Sequence, residues 1–117
     1  MTTETLRPQP RAVPLACVPG AIPAEERPEH GRLLSRLFGT AARERHDVPL
    51  GYAYRFDADA YDDLARWIRN ERRCCPFLAF SLELAPDDGP IWLTLAGPDG
   101  TPGFLEAELT PLPTEVR

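Results

Sequence analysis

Two adjacent cysteines, Cys74 and Cys75, close a stretch of helical periodicity and are followed at once by Pro76 and Phe77. A thiolate is both a nucleophile and a soft metal ligand, so such a pair can chelate an ion, exchange electrons or simply fill space in a core. A disulfide between neighbours closes a strained ring that departs from ordinary disulfide geometry, which makes the pair a poor copy of a CxxC redox motif. It is a better chelator for a large soft ion, such as Hg(II) or As(III), with Cu(I) and Zn(II) as further candidates. Zn(II) normally takes four ligands, and paired CxxC or HxxxH spacing is missing. The third thiol, Cys17, could complete a three-coordinate site.

The surroundings of the pair would tune it. Trp67, Glu71 and Cys74 recur at i, i+4, i+7, and Leu64, Ile68, Glu71 and Cys75 at i, i+4, i+7, i+11. Glu71 therefore stands near both thiols on the apolar side of a helix. A carboxylate there is costly unless paired, and Arg72, Arg73 or Arg55 is expected to pair with it. The negative end of the helix dipole raises a thiol pKa, whereas the Arg72 and Arg73 cations favour thiolate. Trp67 and Phe77 would wall the site. His30 and His46 stand alone and are expected in surface or capping roles.

No GxSxG, HExxH, P-loop or GxGxxG pattern is present, so no organic cofactor is expected. No nucleophile-and-base set recommends itself, which weighs toward binding rather than catalysis. Two alternatives stand beside a metal binder. One is a thiol-dependent oxidoreductase, with one cysteine as nucleophile and another as resolver. The other is a structural or interaction domain whose cysteines are buried and unreactive.

The chain has 117 residues, 43% of them hydrophobic and 26% charged, a composition that suits one globular domain. Its net charge is −5 and every basic residue is arginine, with no basic run longer than Arg72-Arg73. Nucleic acid, which needs several phosphates neutralised, and anionic membrane surfaces are not expected as partners. No apolar run approaches the roughly 20 residues of a membrane span, and the first residues carry no signal-peptide pattern. The expected location is cytoplasmic, where an odd set of three cysteines reads as thiols rather than disulfides.

The elements that position these residues follow from periodicity and from the prolines. Residues 1–11 read as a disordered tail, 12–110 as a single domain and 111–117 as a frayed end. Ala12–Val18 reads as a strand, demoted to an edge by Pro14. Leu33, Leu34, Leu37, Phe38 and Ala41 imply a helix from about Pro28 to Arg45, followed by a turn over His46–Gly51. Tyr52, Tyr54 and Phe56 mark a strand, and a helix from about Ala60 to Cys75 follows it. The Leu78–Leu84 and Ile91–Leu95 alternations form a hairpin, with a last helix from Thr101. The expected fold is α+β, a two-layer sandwich in the order β-α-β-α-β-β-α. It has a single mixed four-stranded sheet with helices mainly on one face. The exposed hairpin edge would support a homodimer. A parallel first strand places Cys17 a domain width from the pair, whereas an antiparallel one brings all three cysteines together.

Over ERRCCPFLAFSLEL and the following IWLTLAGPDG, the chain resembles small bacterial proteins with a CCPF or CCxF signature at a helix-to-strand junction. These are similar to C-terminal domains of some MerR-type regulators and to products associated with mercury or arsenic resistance. The upstream PLACV segment looks like part of the same pattern. The resemblance covers roughly residues 12–110 and implies capture of a thiophilic ion or organomercurial by Cys74 and Cys75, with Cys17 as a third ligand. Unlike in the regulators, no helix-turn-helix is expected ahead of the first strand.

Overall fold

Alternation decides the sheet. Tyr52, Tyr54 and Phe56 on one side of Gly51–Phe56, and Ile91, Leu93 and Leu95 on one side of Ile91–Ala96, give each segment an apolar face. In the computed structural model, which describes residues 13–109, these segments are the two central strands. In chain order the elements are α1 (Arg27–Arg36), β1 (Glu44–Val48), β2 (Gly51–Phe56), α2 (Tyr61–Cys74), β3 (Ala79–Leu84), β4 (Ile91–Ala96) and α3 (Thr101–Glu108). The fold is α+β, three helices and one four-stranded sheet among the described residues. The expected tail over 1–11 and frayed end over 111–117 lie outside those residues. Among the described residues, no helix is long and apolar enough to cross a membrane.

The sheet runs β1-β2-β4-β3 and every neighbouring pair is antiparallel, so the expected mixed sheet is corrected. β2 and β3 do run in the same direction, as a strand-helix-strand crossover requires, but β4 is inserted between them and opposes both. The observed order is α-β-β-α-β-β-α, and two local readings account for the difference. The segment through Cys17 is not a strand: Pro14 and Pro19 remove donors that a ladder needs. The strand read instead as helix end and turn is β1, whose sequence ERHDV has no apolar alternation. Its charge is what an exposed edge strand tolerates. The first helix stops early because Leu37–Ala41 widens into a π-type turn, in which Ala42 N–H reaches the Leu37 carbonyl at 2.8 Å. A tight turn at Pro49-Leu50 then folds β1 onto β2. Gly51 is required there: a Cβ on it would lie 1.9 Å from the Leu95 carbonyl oxygen of β4.

The helices pack on the sheet face that carries Tyr54, Phe56, Leu93 and Leu95, and they supply Leu37, Phe38, Leu64, Trp67 and Leu105 to the same core. Phe38 is its hub, 5.0 Å edge-on from Tyr54 and 4.9 Å from Trp67, ring centre to ring centre. The opposite sheet face stays partly open, with His46 stacked on Trp92 and Arg55 bonded to Glu44. This amphipathic arrangement fixes α1, α2 and the chain before α1 against one another, and the cysteines lie where they meet.

Candidate metal centre

α2 buries one stripe, Leu64, Trp67 and Glu71, and that stripe continues to Cys75 just past its end. The helix stops at Cys74 because the next residue precedes Pro76, which disfavours α conformation before it; Cys75 takes φ −124° and ψ 75°. A helix end leaves carbonyls without partners. The Cys74 carbonyl finds one in the N–H of Val18, at 2.8 Å. That bond, with Val13 packed against the core and Ile22 buried, lays the Pro-rich segment across the helix end and brings Cys17 to the pair. Cys17 Sγ lies 3.6 Å from Cys75 Sγ, and all three Sγ atoms are within 4.8 Å of one another. Cys75 is fully buried, Cys74 half-buried and Cys17 exposed, so the cluster opens to solvent on one side only. The thiols meet without either strand arrangement weighed from the sequence.

Behind the thiols lies a buried acid network. Glu71 is 1% exposed; its Oε1 is 2.9 Å from His30 Nε2, and its Oε2 accepts from Cys75 Sγ at 3.4 Å. Glu108 of α3 approaches the same place, with one carboxylate oxygen each from Glu71 and Glu108 and the Cys75 sulfur all within 4.8 Å. His30 lies flat against Trp67, ring planes 4° apart. His30 Nδ1 and Trp67 Nε1 are both buried without a hydrogen-bond partner among the described residues. The partner of Glu71 is thus His30, not an arginine. Arg55 is engaged by Glu44, and Arg73 donates to Asn70 Oδ1.

The electrostatics keep the thiols protonated. Burial first, and then the Glu71 charge, push the Cys75 thiol far above its ordinary range. Burial also raises Cys74, partly offset by its hydrogen bond with Cys75. Glu108 is raised by burial and by the neighbouring Glu71 charge. The charges acting on Cys74 and Cys75 are all negative; Arg72 and Arg73 turn outward and line a groove on another face of α2. Trp67 stands a turn back from Glu71 and reaches the site through His30, while Phe77 packs edge-on against Phe104 at 4.9 Å.

His30, expected in a surface or capping role, is instead buried against Glu71, and Glu108 joins the site without having been singled out from the sequence. His30 precedes Leu33, Leu34 and Leu37 by three, four and seven residues, which places it on the apolar stripe of α1. That was a signal for burial rather than for a surface role. Glu108 sits beside Leu105 and Leu109 on the apolar side of α3 in the same way. His46, on the open sheet face, does not join the cluster. Chemically the arrangement is three sulfur donors around one point, open on one side and backed by a carboxylate. No known protein family, curated protein or solved structure matches this chain.

Proposed function

We propose that this protein is a cytoplasmic binder of a soft metal or metalloid, Hg(II), an organomercurial or As(III), held by Cys17, Cys74 and Cys75. The observation that carries the reading is the convergence of Cys17 with the distant Cys74-Cys75 pair, three sulfurs within 4.8 Å. Ion–sulfur bonds of about 2.3 Å in a trigonal site place the sulfurs about 4 Å apart, close to the spacing found. The CCPF resemblance points the same way. Because burial and Glu71 hold Cys74 and Cys75 protonated, binding there must release protons, and an ion with high thiolate affinity is the one that does so near neutral pH. Cu(I) and Zn(II) rank behind on that ground. Native mass spectrometry of reduced protein tests this. One equivalent of As(III) should bind and be lost on any single Cys→Ser change, whereas Hg(II), content with two sulfurs, should survive loss of Cys17. No uptake by the unaltered protein would refute the reading.

One further observation favours a second reading, a thiol oxidoreductase. Cys17 and Cys75 need only close from 3.6 Å to the roughly 2.05 Å of a disulfide. That step releases two protons and two electrons to an oxidant such as a peroxide. A Cys17–Cys75 linked peptide, formed and reduced again over repeated turnovers with peroxide, would favour it over ion capture.

A further inference from the structure

α2 carries a second stripe, on a different side from the one that holds Glu71. Ile68, Arg69, Arg72 and Arg73 recur at helical spacing and, with Phe80 and Leu82 of β3, line an open groove of about 850 Å³. β3 is an edge strand: it pairs with β4 on one side, and among the described residues no strand covers the other. Its free edge presents a row of main-chain donors and acceptors. Phe80 and Leu82 stand opposite Leu95 and Leu93 in the ladder, so they share the helix-side face of the sheet. The groove is therefore floored by apolar side chains, bounded by a strand edge and walled by three guanidinium groups.

Those cations are weakly satisfied. Arg69 reaches Glu26 only at 3.7 Å, Arg73 is held by the neutral Asn70, and Arg72 makes no ion pair among the described residues. Three such charges gathered on a chain of net charge −5 mark a local demand for an anion. One helical turn advances about 5.4 Å, and two residues of a strand advance about 6.6 Å. Alternate side chains of a strand laid along β3 would thus fall nearly in step with Arg69 and the Arg72-Arg73 pair.

We propose that this groove binds an extended acidic segment of a partner protein, which adds as a strand to β3. Its alternate helix-side residues place carboxylates on Arg69, Arg72 and Arg73, and apolar side chains on Ile68, Phe80 and Leu82. Main-chain bonds supply affinity and the side-chain alternation supplies specificity. A second copy of this chain fits less well, because pairing β3 with its symmetry mate brings two arginine stripes toward each other.

The test uses the intact protein and a labelled nonapeptide, Thr-Glu-Thr-Val-Thr-Glu-Thr-Val-Thr, read by fluorescence anisotropy at low salt. Saturable binding is expected, at least tenfold weaker for the peptide with Lys in place of Glu. The same loss is expected for the exposed double variant Arg69→Glu, Arg72→Glu, with Arg69→Gln, Arg72→Gln as the milder form should charge reversal disturb folding. N-methylation of alternate amides should abolish binding in one register and spare it in the other, the mark of strand addition. Four results would each overturn the proposal. They are no saturable binding, equal binding by the Lys peptide, indifference to N-methylation in both registers, and complete displacement by free octanoate, which would assign the groove to small amphipathic anions. Sedimentation that shows a dimer blocking the peptide would overturn it in favour of self-association.

Discussion

Replacing Glu71 by Gln removes a buried negative charge with little change in shape, and the thiols should respond. The Glu71 Oε2 lies 3.4 Å from Cys75 Sγ. At an effective dielectric of about 20, a carboxylate and a thiolate at that separation repel by about 5 kcal/mol. At about 1.36 kcal/mol per pK unit, the ceiling on the fall in Cys75 pKa is about 3.5 units. The amide keeps part of the hydrogen bonding and burial still disfavours the thiolate, so a fall of about 1–2 units is expected. Cys74, whose thiol is also raised by Glu71, should fall by less. Thiolate ultraviolet absorbance against pH measures both directly, with single Cys→Ser variants to separate them. Maleimide modification of the half-buried Cys74 should quicken in parallel. A thiol titration unchanged or moved upward in Glu71→Gln would refute the electrostatic account. Burial alone would then hold the thiols protonated.

Three further outcomes follow from the same structure. Cys75 stays protonated in the folded protein above the pH where an unfolded thiol ionises, so unfolding there releases a proton. Stability should hold below about pH 8.5 and then fall by about 1.4 kcal/mol per pH unit, a slope that urea melts should find shallower in Cys75→Ala. His30→Ala leaves the buried Glu71 Oε1 without its partner and should cost about 1–3 kcal/mol; a loss under about 0.5 kcal/mol would show that Glu71 does not depend on His30. Gly51→Ala drives a Cβ into the Leu95 carbonyl and should destabilise the sheet by more than about 2 kcal/mol, whereas Gly31→Ala, with open space at that position, should be neutral or stabilising.

What the sequence made legible was what period and punctuation encode. β2, β4 and α2 were readable because burial on one face writes alternation or a helical stripe into the residues themselves. Pro76 placed the end of α2 and Phe77 the core beyond it. β1 was not readable: a turn was read over His46–Gly51, but ERHDV has no apolar alternation and owes its strand state to the ladder offered by β2, which has no local signature. The sheet direction was lost with it: a strand wrongly drawn at Ala12–Val18 supplied a parallel partner, and nothing local announces that β4 inserts between β2 and β3. At the site, Cys74, Cys75 and Glu71 were visible by spacing, but the meeting with Cys17 depends on tertiary contacts, among them the bond from Val18 to a helix-end carbonyl.

The acid network would set a threshold on the proposed ion site. A group that raises thiol pKa makes the site a worse ligand for every ion, because each unit of elevation is a tenfold handicap that the metal must overcome in displacing the proton. The handicap is the same for any ion on the same sulfurs, so an ion of far higher sulfur affinity is the one left with useful binding near neutral pH. In the proposed site, burying Glu71 beside Cys75 would therefore favour a soft ion over a borderline one by the affinity each has to spare. The same logic orders the sulfurs. Cys17, exposed, and Cys74, half-buried, are the accessible entry ligands, and Cys75, fully buried and the most strongly protonated, closes the site last. On this account Glu71→Gln should raise the apparent affinity for each ion held by Cys75 by a similar factor, about tenfold per pK unit by which that thiol falls, measured by competition against chelators of known strength. No gain for any of the three ions would mean that the carboxylate holds the fold and does not handicap the site.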